Sequence, residues 1–148
     1  MENPNMDLLL KGKNAAVSGA TRGIGRAIAQ KLALEGCNVS ICARNAEAID
    51  QVVAELGETG VQAMGAAIDA TDRDAQKTWI DDTARAFGVL DILIANVSAL
   101  NQGTDEDAWR QSFDVDMMAT FNAAEAATPH IQASDAGAMI FISSIAAL

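Results

Sequence analysis

Eight consecutive residues, Ser18-Gly19-Ala20-Thr21-Arg22-Gly23-Ile24-Gly25, put three glycines where an apolar run gives way to a helical pattern. Glycines at such a junction uncover main-chain N–H groups, and the first helical turn adds the positive end of its dipole, so the segment suits a phosphate. Gly19 is expected to take the tight turn, Gly23 to remove a side chain where a pyrophosphate approaches, and Gly25 to let helix and strand close. The amides of Ala20, Thr21 and Ile24 belong to the same cradle. The spacing is Gly-x-x-x-Gly-x-Gly rather than the commoner Gly-x-Gly-x-x-Gly. A dinucleotide is the expected ligand.

The second strand bears on which dinucleotide. An acidic residue about 20 positions after the first glycine would accept the ribose hydroxyls of NAD, but residues 37–46 contain no Asp or Glu. Arg44 stands there instead, and Arg22 lies inside the glycine turn. Two guanidiniums match the oxygens of a ribose 2′-phosphate, which a carboxylate would repel, so NADP is expected ahead of NAD. The plainer alternative for both arginines is solvated surface charge.

Other residue types narrow the chemistry by what they lack. His130 is the only histidine, so neither a Ser-His-Asp triad nor a multi-histidine metal site has its partners. Asp105-Glu106-Asp107 fits the start of a helix, and no metal is expected. Tyrosine is absent from all 148 residues, so a mechanism that needs a phenol cannot run on this chain by itself.

The scaffold reads as alternating strands and helices in one domain, residues 1–148. Strands are expected at 14–19, 38–43, 61–68, 89–95 and 138–143, the third weakened by Gly65. A helix follows the glycine turn, with Ile24, Ala27, Ile28 and Leu32 recurring along it, and Gly36 stops it. Asn45 caps a second helix carrying Ile49, Val52, Val53 and Leu56, and Thr71 or Asp72 caps a third carrying Trp79, Ile80, Thr83 and Ala84. After a polar loop, Phe113, Met117, Phe121 and Ala124 share one face of a long helix that Pro129 disturbs. Core filling is the ordinary role for that face, and contact with a second subunit the other. The pattern specifies a Rossmann-type doubly wound parallel sheet.

Net charge is −10, from 20 acidic and 10 basic residues, which argues against nucleic acid or an anionic membrane as partner. No apolar run approaches the roughly 20 residues that span a bilayer, and Leu8-Leu9-Leu10 is too short for a signal core. Cys37 and Cys42 lie an odd number apart on a strand, so they face opposite ways and stay reduced. A cytoplasmic location is expected.

At this point the residues resemble a known family, the short-chain dehydrogenase/reductases, over essentially the whole chain. Ser18 to Gly25 is similar to its Thr-Gly-x-x-x-Gly-x-Gly coenzyme turn, and Asp69, with Ala70 beside it, resembles the acidic position that contacts adenine. Residues 91–98 resemble the segment ending in Asn-Asn-Ala-Gly, of which only Asn96 survives. Trp109 and Val115-Asp116-Met117 resemble the long-helix motif, with Asp116 where the family places a catalytic-site asparagine. Ser143-Ser144 resembles the segment of the catalytic serine, aligned at Ser144.

The resemblance implies a hydride transfer between a nicotinamide and a small carbonyl or alcohol substrate. The family's Tyr-x-x-x-Lys pair and its carboxy-terminal strands would lie beyond residue 148, so the chain is expected to be an amino-terminal part, inactive alone. The fifth strand would then be an unprotected apolar edge. The alternative is a non-catalytic NADP(H)-binding module. Pairing of subunits through the long helix is a further implication, giving a homo-oligomer.

Overall fold

The computed structural model describes residues 8–143. Five parallel strands form one sheet in the order β3-β2-β1-β4-β5: β1 (Asn14–Ser18), β2 (Asn38–Ala43), β3 (Ala63–Ala67), β4 (Ile92–Ala95) and β5 (Ala138–Phe141). The connections contain α1 (Gly23–Leu34), α2 (Ala46–Gly57) and α3 (Arg73–Phe87). Between β4 and β5 runs a rod of α4 (Glu106–Ser112), a π-helical turn (Phe113–Met118) and α5 (Ala119–Ala133). This is the Rossmann-type α/β arrangement, and the strand order reverses between β1 and β4, where such sheets open a crevice for ligands.

β1 is buried at every residue. Its side chains alternate between two faces. Ala15 and Val17 join Val39, Ile41 and the inner sides of α1 and α2, while Ala16 joins Leu93, Trp79, Ile80, Ala123 and Ala127. Cys37 and Cys42 belong to these opposite clusters, and both are free. Burial pushes the Cys37 thiol up to about 11 and Cys42 to about 12, so neither is a nucleophile at neutral pH.

Several expectations change. The third strand pairs over Ala63–Ala67 only, and Gly65 within it is a contact rather than a weakness: a Cβ there would run into Ile49 of α2. β4 begins at Ile92, because Asp91 at its approach is a buried acceptor for Asn14 N (2.8 Å) and Ser134 Oγ (2.5 Å). α1 turns Gly25, Ala29 and Ala33 to the core and leaves Ile24 exposed. Small residues there admit a close approach to the sheet.

The long rod departs furthest. Phe113, Met117 and Phe121 are 56%, 62% and 55% exposed, and the buried line is Ala119, Asn122, Ala123, Ala126 and Ala127. A π-helical turn carries i→i+5 bonding, so it inserts a residue into the helical period and rotates the face that meets the core. Pro129 lies inside α5, which continues to Ala133 without that donor because Ala126 and Ala127 hold the turn against the core. β5 pairs with β4 and is largely exposed. Among the described residues no helix is long and apolar enough to cross a membrane.

Candidate functional site

The turn between β1 and α1 begins at Gly19, whose N–H donates to Cys42 O (2.9 Å) and whose φ of +64° favours glycine. Asn96, just past β4, faces it across the strand-order reversal. Its N–H donates to Ser18 Oγ (3.0 Å) and its Nδ2 to Gly19 O (3.1 Å), so the carbonyl side of the turn is fixed to the end of β4. A Cβ on Gly25 would collide with both Asn96 Nδ2 and Gly19 O, whereas one on Gly23 would meet nothing. The inner wall is closed and the Gly23 side is open.

α1 starts from Arg22 in an extended conformation, with no capping side chain and no acid in its first turn. The other starts differ. Asn45, Asp72 and Asp105 accept from the amides of Ala48 (2.9 Å), Ala75 (3.0 Å) and Ala108 (2.9 Å), and each of these helices carries an acid in its first turn. Asp72, not Thr71, therefore caps α3. The first-turn amides of α1 remain available to an acceptor from outside.

Arg26, Arg73, Arg85 and Arg110 each pair with a carboxylate. Arg22 and Arg44 are exposed and make no ion pair among the described residues. Arg44 follows β2, and its charge reaches Asp69 after β3. Asp69 Oδ1 accepts from Thr71 N (2.9 Å) and Thr71 Oγ1 (2.8 Å). These hydrogen bonds first, and Arg44 in addition, hold its carboxyl below the usual value. Ala70 beside it is buried.

Asp116 lies in the π-helical turn, half-buried, and its Oδ1 accepts from Ala99 N (2.9 Å). A carboxylate is suited to that amide because it only accepts. The segment after β4 is thereby anchored to the rod. Ser144 lies outside the described residues. The structure thus brings Gly19, Gly25 and Asn96 into contact, sets Asp69 within reach of Arg44's field, and ties Asp116 to Ala99. The bonds of Thr71 to Asp69 and the role of the Ala99 amide have no counterpart in the sequence reading, which has Thr71 only as a candidate cap. The Asp-x-Thr spacing was a signal for the first, since such side chains bond amides two residues on; the Ala99 amide has no sequence signal.

The donor set fits an anionic dinucleotide: unshared amides at a helix start, two unpaired guanidiniums, and a cradle that one added Cβ would fill. The comparisons with known proteins agree. The profile of the family described as short chain dehydrogenase matches residues 13–148. Isoepoxydon dehydrogenase patN of Penicillium expansum is 34% identical over 139 residues, covering 91% of this chain and 53% of that protein. A short chain dehydrogenase from Burkholderia cenocepacia in complex with NADP superposes with a TM-score of 0.81 at 34% identity, covering 92% of this chain and 57% of that one. One from Mycobacterium paratuberculosis bound to NAD gives a TM-score of 0.86 at 27% identity, covering 91% and 56%. The chain spans about half the length of the relatives it matches. With the profile running from the edge of β1 to the last residue, the chain belongs to the short chain dehydrogenase family, oxidoreductases built on a Rossmann-type nucleotide-binding fold.

Proposed function

We propose that this chain binds NADP at the β1–α1 turn and forms the coenzyme-holding part of an oxidoreductase that interconverts a small carbonyl compound and its alcohol. The observation that carries the reading is the start of α1, whose amides are uncapped, with Arg22 at its N-cap and Arg44 two residues past Cys42, the acceptor of the Gly19 N–H, neither of them in an ion pair among the described residues. Related structures hold either coenzyme. The missing acid at the end of β2 tips this chain toward NADP.

When bound, the nicotinamide coenzyme supplies or takes the hydride. The amides of residues 20–25 would bind its pyrophosphate, the Gly19 N–H being held by Cys42 O, and Arg22 and Arg44 would grip the 2′-phosphate by paired N–H donors. Asp69 accepts from the adenine amino group, with the Ala70 amide next to it. Asn96 keeps the turn in shape, and Asp116 steadies the segment around Ala99. Ser144, by its resemblance to the family serine, donates to the substrate oxygen. Proton delivery needs a further group, because the 148 residues hold no tyrosine. We propose a cytoplasmic location and assign the outward face of the rod to pairing with a second copy.

Calorimetric titration of the purified chain with NADPH and NADH tests this. Tighter binding of NADPH, by about tenfold or more, is expected from one additional charge-assisted contact. Failure to bind either coenzyme overturns the reading. Carbonyl-dependent oxidation of NADPH by these residues alone would overturn the requirement for a phenol.

A further inference from the structure

Gln76 lies on the inner side of α3 with 1% of its surface exposed. A carboxamide so deeply placed calls for partners. Its Nε2 donates to Ala70 O and to Ala119 O (3.1 Å). Both neighbours are carbonyls, so the nitrogen must face them, and Oε1 is left buried without a partner among the described residues. An apolar side chain of the same size would remove that buried oxygen but would also take the Gln76 donor from Ala70 O and Ala119 O. What the carboxamide contributes is its two donated bonds.

The bond to Ala70 reaches the candidate site. In a trans peptide the carbonyl and the following N–H point in opposite directions, and no peptide among the described residues is cis. Ala70 O turned onto Gln76 therefore sends the Thr71 N–H the other way, where it donates to Asp69 Oδ1 (2.9 Å) beside Thr71 Oγ1 (2.8 Å). Both bonds fall on Oδ1, and Oδ2 has no partner among the described residues. The bond to Ala119 ties the same carboxamide to the first residue of α5, directly after the π-helical turn that carries Asp116. One side chain thus cross-links the Asp69 turn and the rod.

We infer that Gln76 is a positioning residue for the adenine end of the coenzyme: by holding the Ala70–Thr71 peptide it presents Asp69 Oδ2 to the adenine amino group. This rests on the coenzyme reading above and deepens it. Gln76 touches no ligand, and its effect passes through the peptide and Asp69.

The test compares two probes on the purified chain, adenosine 2′,5′-bisphosphate for the adenosine end and inorganic pyrophosphate for the glycine turn. Gln76→Met keeps the length and removes both donors. It is expected to weaken adenosine 2′,5′-bisphosphate about tenfold, the scale of one orienting hydrogen bond, and to leave pyrophosphate within about twofold. In an Asp69→Ala background the same change is expected to add nothing, since the route through Asp69 is already cut. Equal losses for both probes, or full additivity with Asp69→Ala, overturn the inference. A chain that does not fold as Gln76→Met is replaced by the wild type, followed by NMR at the Gln76 carboxamide protons. Those resonances are expected to move with adenosine 2′,5′-bisphosphate and hold still with pyrophosphate; no movement with either overturns the inference. Wild-type chain that binds neither probe overturns the coenzyme reading itself, an outcome distinct from all of these.

Discussion

α1 and α3 both follow strands of the same sheet, yet they treat their first amides in opposite ways. At α3, Asp72 accepts from Ala75 N (3.0 Å) and Asp74 adds negative charge beside the dipole. At α1, Arg22 occupies the corresponding position and no side chain among the described residues caps the amides. A capping side chain contributes about 1 kcal/mol to a helix start. α1 forgoes that contribution and puts a positive charge where the dipole favours a negative one. The difference teaches that α3 is finished by its own sequence, whereas α1 leaves its first amides open, as the coenzyme reading proposed above requires.

The strongest way to break the comparison is to fill the cradle behind α1. Gly25→Val drives a branched side chain into Asn96 and the Gly19 carbonyl, which are backbone and hydrogen-bonded groups with nowhere to go. Overpacking of this kind costs about 1–3 kcal/mol or more, and the amides it displaces are the proposed binding site. Thermal melts should show a clearly lowered Tm, and NADPH titration no binding. Asp72→Ala is the paired control: a loss of about 1 kcal/mol in a urea melt, with NADPH affinity within about threefold. Wild-type affinity in Gly25→Val would mean the coenzyme sits elsewhere.

A subtler change moves α3's solution onto α1. Arg22→Asp places a capping carboxylate at an extended residue already suited to it. The helix gains about 0.5–1 kcal/mol of stability in a urea melt while NADPH affinity falls about a hundredfold, because an anion now occupies the amides and a guanidinium is gone. Stability and affinity moving in opposite directions is the signature. Were both to rise, the start of α1 would be an ordinary unfinished cap.

Arg44→Ala separates the charge at the end of β2 from the amides of α1. Arg44 has no ion pair to lose among the described residues, so stability should hold. NADPH affinity is expected to fall about tenfold and NADH to stay within about threefold. Equal losses for the two coenzymes would remove the 2′-phosphate from the account.

The contrast between helix starts was legible in the sequence because caps are local. Asn45 and Asp105 announce their helices by residue type, and the three glycines announce an uncapped one. Strand alternation likewise placed Cys37 and Cys42 on opposite faces, as the two core clusters show. Core filling, one of the two roles open to the rod's apolar face, fails for a physical reason: periodicity finds an apolar face without saying which layer it meets, and the π-helical turn shifts the period between Phe113 and Phe121. Asp116 is marked in the sequence by the family resemblance alone, and its partner Ala99 lies 17 residues back and is a bare amide. Gln76 was invisible because a polar residue in a helix reads as surface, and its two acceptors are carbonyls 6 and 43 positions away.

The smallest expected effect lies in the turn that leads into α3, and it tests whether Asp69 is as fully occupied by its own chain as Asp72 is. Thr71 N and Oγ1, with Arg44 behind them, lower the Asp69 carboxyl in the folded protein. A depressed folded value means the unfolded chain takes up the proton first as pH falls. The stabilising contribution is therefore present in full above the unfolded value of about 4 and fades as pH drops through the folded one. Urea melts of the wild type and Asp69→Asn should differ by a constant amount from about pH 7 to 5 and converge below about pH 4. The gap will be small, because Asp69 is largely open to solvent, which screens its contacts. A gap that widens in acid would reverse the sign and show the turn favouring the neutral carboxyl. Convergence would show the turn holding the Asp69 carboxylate in its charged form through Thr71 N and Oγ1.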